Sequence, residues 1–468
     1  MPRLLPVTLL RPLPGLALTC LLTVLAGCGG GDGGGRRDPA FGACGETARK
    51  EWVLDVARDW YLFPETLPTA VDLARYATAE DLLDALTATA RAQGKDRYFS
   101  YLTTRSAERS LMGEGEFVGF GFRNRTDDAH RVFILDVYAA SPAAEAGLQR
   151  GDEVIAVDGV SVADALSSGD QTFSDLMGPA DAGVRRTLAI RRGASTFEAT
   201  MEKRTVTIDP VPDGFGVKVL PLAGTAGVGY LHLRSYISTA DSQLRAAFAE
   251  FRAQGIDKFI IDLRYNGGGF VSTAALFNDL LGGGRTGSDV QFSIVHNPER
   301  SNQNSTVRFQ PQSESVNPSQ IVFLTTEATA SASEINANSM WPYETTAIVG
   351  SDTLGKPVGQ VAFDLSGCED RLRLVAFETV NSLGEGDYYD GLASVMPYAC
   401  AAPDTLDAPL GSVEDDMTAA ALDWFATGAC PPMTGATGGR LKPFLDGQPA
   451  YPKPRQPTPA EHWLPGIQ

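Results

Sequence analysis

Residues 321–341 and the Lys at position 356 carry the side chains best suited to chemistry in this chain. Ile321 to Thr325 is an apolar, β-branched run that reads as a buried strand. It breaks into small residues, Ala328 to Ser333, and then opens a helix-like stretch, Glu334 to Met340. A strand that turns sharply into a helix places the turn at the helix N-terminus, where unpaired N–H groups and the dipole favour developing negative charge. A Ser in such a turn can attack a carbonyl, and the next N–H can hold the oxyanion. The base is the open question. The chain has four His, at 130, 232, 296 and 462, and none sits in a motif context. A Lys can replace His if burial keeps it neutral, because desolvation disfavours the ammonium. Lys356 lies in a Gly-flanked loop just past the apolar run Ala347 to Gly350. Taken singly, Ser331 and Ser333 would read as helix caps and Lys356 as a solvated loop charge. Taken together they favour catalysis.

The run Thr-Ala-Ser-Ala-Ser-Glu at 329–334, with Thr-Leu-Gly-Lys at 353–356 and Gln360 four residues on, resembles the tail-specific or carboxyl-terminal processing proteases. These are serine peptidases with a Ser–Lys dyad. The resemblance implies Ser331 as nucleophile, Lys356 as general base 25 positions later, and Gln360 as the residue that orients the amine. Asp262-Leu263-Arg264-Tyr265-Asn266-Gly267-Gly268-Gly269 is similar to the family's D-L-R-x-N-x-G-G, which implies an oxyanion hole from the N–H groups of Gly268 and Ala332. It also implies a supporting role for Glu334. Two positions depart from the pattern. Pro342 stands where some relatives carry an acidic residue, and Pro357 replaces a Gly, which fixes φ and removes an N–H next to the Lys. Asp262 and Arg264 read as a structural ion pair at a strand end.

The elements that must position these residues follow from pattern. Strand and helix signals alternate from 226 to 350, which argues an α/β core; the resemblance implies the ClpP/crotonase-like fold, with an N-terminal helical domain and a β-rich PDZ domain. At 468 residues the chain has length for two to four domains. We expect an export signal at 1–28, a Gly-rich linker at 29–45 and a helical domain at 46–108. A PDZ domain at 109–205, a peptidase domain at 206–430 and a Pro/Gly-rich C-terminal tail at 431–468, with little packed structure, would follow. In the helical domain, Trp52, Val56 and Trp60 recur at helical spacing, and Ala79 to Ala92 reads as a second helix. Asp96 to Tyr101 resembles the junction these proteases carry ahead of their PDZ domain. Phe117-Val118-Gly119-Phe120-Gly121-Phe122 resembles a PDZ carboxylate-binding loop, so Gly119, Phe120, Gly121 and Phe122 are the expected peptide-binding residues. Ser141-Pro142 reads as an N-cap with Pro at the first helical position. Gly282 to Gly287 matches G-x-G-x-x-G but follows a helical run rather than a strand, which argues against a dinucleotide site.

Composition narrows the class further. A net charge of −18 argues against nucleic acid and against a polybasic membrane patch. Arg3 and Arg11, the apolar Leu16 to Ala26, and Leu25-Ala26-Gly27-Cys28 resemble a bacterial lipoprotein signal, implying lipidation of Cys28. Gly29 after the Cys, rather than Asp, implies the outer membrane facing the periplasm. No later apolar run has the length of a membrane-spanning helix. Cys44, Cys368, Cys400 and Cys430 remain for disulfides in an oxidising compartment. Three pairings are open, and Cys368–Cys400 with Cys44–Cys430 is the expected one. Their spacings fit no metal motif. The reading is therefore a serine-type endopeptidase needing no cofactor, acting on a protein or peptide with an accessible C-terminus. The competing reading is a catalytically silent lipoprotein that captures peptide tails in its PDZ groove.

Overall fold

Two neighbouring parallel strands end at Asp262 and Thr325, and everything around them serves to hold the loops that leave those ends. The computed structural model describes residues 44–433, 459–464 and 466–468. The expected signal with Cys28, nearly all of the Gly-rich linker, and residues 434–458 of the expected tail lie outside the described residues.

Strands and the longer helices are numbered in chain order. Helix α1 spans Glu46–Trp60, α2 spans Ala79–Ala92 and β1 spans Tyr101–Thr104. The next strands are β2 (Glu116–Gly119), β3 (Phe122–Thr126), β4 (Val132–Val137), β5 (Glu153–Val157), β6 (Val160–Ser161), β7 (Arg185–Arg192), β8 (Ser195–Glu202) and β9 (Arg204–Thr207). Beyond them come β10 (Val217–Leu220), β11 (Val228–His232), α3 (Ala240–Ala253), β12 (Lys258–Asp262), α4 (Val271–Leu281), β13 (Val290–His296) and β14 (Ser305–Arg308). The remainder is β15 (Gln320–Thr325), α5 (Ala332–Met340), β16 (Thr345–Gly350), β17 (Val358–Asp364), β18 (Asp370–Asn381), β19 (Ala399–Ala401) and α6 (Asp416–Thr427).

Among the described residues one sheet runs β10-β11-β12-β15-β16-β19, parallel from β11 to β19 with β10 antiparallel at its edge. Its central strands are continuous apolar runs because both faces are covered. Phe259, Ile261, Ile321 and Phe323 pack with Phe248, Phe251 and Phe277 of α3 and α4 on one face. Ile260, Val322, Leu324 and Val349 pack with Met417, Ala421 and Trp424 of α6 on the other. In such a sheet the crevice outside the carboxyl ends of the strands is the natural ligand position.

A second sheet is built on β18, which pairs with β1, β13 and β17, while β14 pairs with β13. Helices α1 and α2 lie against it. Leu82, Leu83 and Leu86 of α2 share one apolar cluster with Val358, Leu372, Leu374 and Val375. Helix α2 starts on a reciprocal cap, with Thr78 and Asp81 each accepting the other's N–H. The fully buried face of α1 is Val53, Leu54 and Ala57, with Trp52, Val56 and Trp60 beside it. Trp60 is turned instead toward His296, Phe363 and the Arg300 guanidinium. The N-terminal helices therefore share a core with the sheet that carries the Lys356 loop.

The third layer is the sheet β3-β4-β5-β7-β8, with β6 on β5, and a β2–β9 ribbon that leads the chain in and out. Ser141 caps the short helix at Pro142–Glu145, as its Oγ accepts from Ala144 N–H. Buried ion pairs dock this layer on the core. Arg234 donates to both Asp136 oxygens at 2.6 and 2.7 Å, and Arg150 donates to Asp404 at 2.8 Å. Gly282 to Gly287 lies past the C-terminal end of α4, and Cβ atoms at Gly282 and Gly283 would strike Phe309 and Val316. Those glycines serve close packing.

Two expectations are corrected here. The disulfides join Cys44 to Cys368 and Cys400 to Cys430, not Cys368 to Cys400 or Cys44 to Cys430. Cys368 sits at the tip of the β17–β18 hairpin beside the residues that lead into α1, whereas Cys400 lies in β19 of the other sheet, where Pro432 returns to pair with it. The tail was expected to be largely unpacked, yet Leu464 and Ile467 are buried with Phe117, Tyr138 and Ile237. Pro and Gly composition predicts loop chemistry, but it is blind to a groove waiting elsewhere in the chain. Cys44–Cys368 closes a span of 324 residues. Cys368→Ser should therefore lower unfolding free energy by about 2–4 kcal/mol, read from urea melts with and without reductant. Peptide mapping without reduction should return these two pairs.

Candidate active site

The turn that carries Ser331 is shaped by backbone geometry first. Ser331 caps α5 with φ +57 and ψ −117, a region costly for a residue with a Cβ. The turn closes through Ser333 N–H to Ala330 O at 3.2 Å and Thr329 N–H to Thr326 O at 2.8 Å. Ala330 N–H donates to Asn266 O at 3.0 Å, and Ser333 Oγ donates to the same carbonyl at 2.9 Å. The small residues seen in the sequence are thus tied to the 263–270 loop leaving β12. Gly268 lies so close that a Cβ there would approach Ala330 O, Ala332 N and Ser331 Cβ to 2.9 Å. With φ +102 as well, no other residue fits this position without strain.

Glu334 links this turn to the Lys loop. It is fully buried, and its Oε2 accepts the N–H of Ser331 and the N–H of Lys356, each at 2.8 Å. The two backbone nitrogens are therefore no farther apart than twice that distance. Oε1 accepts Gly355 N–H, also at 2.8 Å. Burial raises the Glu334 pKa, while these hydrogen bonds and that of Thr353 act in the opposite direction.

The Lys356 side chain is buried. Its Nζ donates to Gln360 Oε1 at 3.1 Å and lies 4.9 Å from the centre of the Phe99 ring. Gln360 Nε2 donates in turn to Phe99 O at 2.6 Å, which fixes the amide so that its oxygen faces the amine. Burial pushes the Lys356 pKa down to about 8; Arg373 and Arg97 add to this, and Asp96 and Glu334 oppose it. Gln360 also lines the cavity of about 240 Å³ into which Ser331 opens, with Met112, Phe270, Arg373 and Phe377. Lys356 lines a neighbouring cavity of about 250 Å³ with Phe99, Gly267, Ala330 and His462. Pro357 supplies no N–H, and its carbonyl accepts Thr379 N–H at 3.0 Å where the loop enters β17.

The expected oxyanion donors behave differently from each other. Ala332 is the first residue of α5, where an N–H has no intrahelical acceptor. Gly268 N–H donates to Asn266 Oδ1 at 2.9 Å, so it can meet an oxyanion only after that amide turns aside. Asp262 and Arg264 form a buried ion pair at 3.0 Å. Burial alone would raise the Asp262 carboxyl, but Arg264 and His232 hold it well below its usual range. Arg264 also forks onto Asp415, the cap of α6, at 2.9 and 2.7 Å. This pair anchors the loop and stands away from proton transfer.

Sequence reasoning missed three contributors. Asp96 accepts from Phe99 N–H, Ser100 and Tyr61, and so shapes the turn that presents Phe99 to Lys356. Arg97 donates to Leu354 O at 2.7 Å and to Gly355 O, holding the Lys loop from outside. The unusual density of aromatic and charged residues from Asp96 to Tyr101 was the available signal. The third is His462, whose ring stacks on Tyr101 at 3.6 Å and whose pKa is driven down to about 3 by burial and by Lys356. Nothing local in its sequence marks it.

The expected peptide-binding loop, Gly119 to Phe122, is occupied. Gly121 N–H and Phe122 N–H donate to Gln468 O at 2.7 and 3.3 Å, and Gln468 N–H donates to Phe122 O at 2.9 Å. Gly119 faces the same backbone, where a Cβ would come within 2.9 Å of Gln468. Phe120 is buried in the core of that domain.

Residues 227–386 match peptidase family S41, residues 48–101 match the S41 N-terminal domain, and residues 133–192 match a PDZ domain. A carboxyl-terminal-processing protease of Synechocystis sp. is 28% identical over 273 residues, covering 57% of this chain and 59% of the relative. The chain thus spans less than two-thirds of that relative's length. An S41 protease structure from Bacteroides fragilis aligns with a TM-score of 0.63 at 24% identity, over 81% of this chain and 97% of that one. The photosystem II D1 C-terminal processing protease aligns with a TM-score of 0.50 at 21% identity, over 83% of this chain and 99% of that one. At these identities the two structures show the fold.

Glu334→Ala should leave three buried N–H groups without an acceptor, lowering stability by roughly 3 kcal/mol or more. A chemical-denaturation series that found less than about 1 kcal/mol would show that the carboxylate does not join the two loops.

Proposed function

The chain belongs to peptidase family S41, and from that premise we propose that it is a serine-type endopeptidase that cuts exported proteins or peptides near their C-termini. Ser331 is the nucleophile and Lys356 the general base. The observation that carries this reading is the shared acceptor: one buried carboxylate oxygen takes the N–H of Ser331 and the N–H of Lys356. Two residues far apart in sequence are held together beside an amine whose proton affinity burial has reduced.

The steps follow from ordinary acyl-transfer chemistry. The neutral Lys356 amine accepts the Ser331 proton as Oγ attacks the scissile carbonyl. Ala332 N–H, and Gly268 N–H once released from Asn266, hold the oxyanion. The ammonium then protonates the leaving amine. Water, deprotonated by the same amine, attacks the acyl-enzyme, and the resulting ammonium returns the proton to Ser331 Oγ as it leaves. Gln360 keeps the amine pointed into the site, and Glu334 fixes the distance between the two loops. In the PDZ layer, Gly119 to Phe122 receive a substrate's terminal carboxylate as an added strand. No cofactor enters this scheme.

On the sequence side, Arg3, Arg11, the apolar run to Ala26 and Cys28 support export with lipid attachment to the bacterial envelope, the outer membrane facing the periplasm. The module limits of 46–108, 109–205 and 206–430 remain our working division of the chain. The silent-scaffold reading has no observation in its favour, because a buried Lys with a fixed amide partner is costly to maintain for packing alone.

Ser331→Ala and Lys356→Ala should each reduce kcat/KM on an unstructured peptide by at least about 1000-fold with unchanged melting. Cleavage at parental rate by either would remove the dyad. Lys356 must be uncharged to act, and its folded pKa lies below its unfolded one. Activity should therefore rise as pH passes about 8 and then level off. A profile flat between pH 6 and 9 would contradict a Lys base.

A further inference from the structure

The short helix Pro459–Trp463 and the residues after it cross the molecule from the Lys356 cavity to the PDZ groove. His462 lines the cavity with Lys356 and stacks on Tyr101. Leu464 and Ile467 then fill an apolar groove formed by Leu111, Met112, Phe117, Tyr138, Val206 and Ile237. From Gly466 onward the backbone pairs with β3. Asn124 N–H donates to Gly466 O at 2.8 Å, Asn124 Nδ2 donates to the same carbonyl at 2.8 Å, and Arg123 and Ile467 form an antiparallel bridge. Gln468 O takes the two N–H groups that a ligand's carboxylate would use, and its side-chain amide donates to Ser174 Oγ at 2.9 Å. Ser174 Oγ donates in turn to Glu461 at 2.8 Å.

The fit is specific rather than incidental. Gly466 has φ +74, and a Cβ there would come to 2.0 Å from Asn124 O, so only Gly permits this pairing. The strand direction, the buried aliphatic anchors and the carbonyl in the loop together reproduce strand addition to a sheet edge.

We propose that residues 459–468 are a resident intramolecular ligand of the PDZ groove, which a substrate tail must displace before it can reach the catalytic cavity. The corollary is a preference of the groove. It favours incoming segments whose carbonyl at Gly121 N–H belongs to a residue with a side chain able to donate to Ser174, with an aliphatic residue just before it. This rests on the peptidase reading only for its consequence in turnover, since occupancy of the groove is a matter of binding. A tethered ligand acts at an effective concentration near millimolar, so it suppresses the apparent affinity of any competitor for the groove.

The test uses the full chain carrying Ser331→Ala, so that nothing is cut during measurement. A fluorescein-labelled peptide of sequence PAEHWLPGIQ is titrated into this chain and into the same chain with Gly466→Val and Ile467→Asp. Fluorescence anisotropy should show binding at least about tenfold tighter to the second. Equal affinities, or no saturable binding to either, would overturn the proposal. Should the substituted chain fail to melt cooperatively, a site-specific protease sequence inserted between 445 and 446 takes its place. Cutting and washing then free the segment without altering it, and the same gain is expected; no gain overturns the proposal. Turnover of a reporter peptide by the cut chain with Ser331 restored separates the two readings. Tighter peptide binding without any turnover keeps the resident ligand and removes the peptidase. Turnover with no gain in binding or rate on release removes the resident ligand alone.

Discussion

A single buried carboxylate that accepts three backbone N–H groups, from Ser331, Gly355 and Lys356, is the contact on which the site depends. A backbone donor left unpaired in a dry interior is expensive, so these bonds resist distortion more strongly than side-chain packing would. They also offset the strain of Ser331 at φ +57, a conformation worth roughly 1–3 kcal/mol in cost. The carboxylate need not exchange protons to matter. It converts two loops, one leaving β15 and one entering β17, into a single rigid body.

The rigid body is held from both sheets. Asn266 joins the β12 loop to the Ser331 turn through its backbone carbonyl, which accepts from Ala330 N–H and Ser333 Oγ. Arg264, buried between Asp262 and Asp415, fixes the root of that loop to α6. On the opposite side Asp96, Arg97 and Phe99 carry the influence of the N-terminal helices to Lys356. The lowered proton affinity of Lys356 comes mainly from being enclosed. Its enclosure needs Phe99 from one layer and the Ser331 turn from another, so the tuning of this amine belongs to the assembled layers and to no loop by itself.

The PDZ layer is locked to the same strand ends. Arg150 and Tyr265 meet at Asp404, and Arg234 pairs with Asp136 out of water. These contacts tie the PDZ layer to Tyr265, in the loop that also carries Gly268. Gly268 N–H is held by Asn266 in this structure, and its release is the local change that chemistry at Ser331 would require.

Much of this was legible in the residues. The β-branched run ending at Thr325, the small residues after it and the helix beyond follow from periodicity and side-chain size, which act over a few positions. The same holds for α2, which spans the predicted residues, and for the capped turn at Ser141. Partners chosen across the chain were not legible. Cys44 finds Cys368 because helix α1 is laid on the β17–β18 hairpin, an arrangement that spacing cannot encode. His462 and Ile467 sit in a stretch whose composition signals only loops; His462 is ordered by Tyr101 and the Lys356 cavity, and Ile467 by a groove that includes Phe117, Tyr138 and Ile237, all distant in sequence. Local propensity is written in neighbouring side chains, whereas burial, and with it the state of an amine or the pairing of a thiol, is a property of surfaces that meet only once the chain has folded.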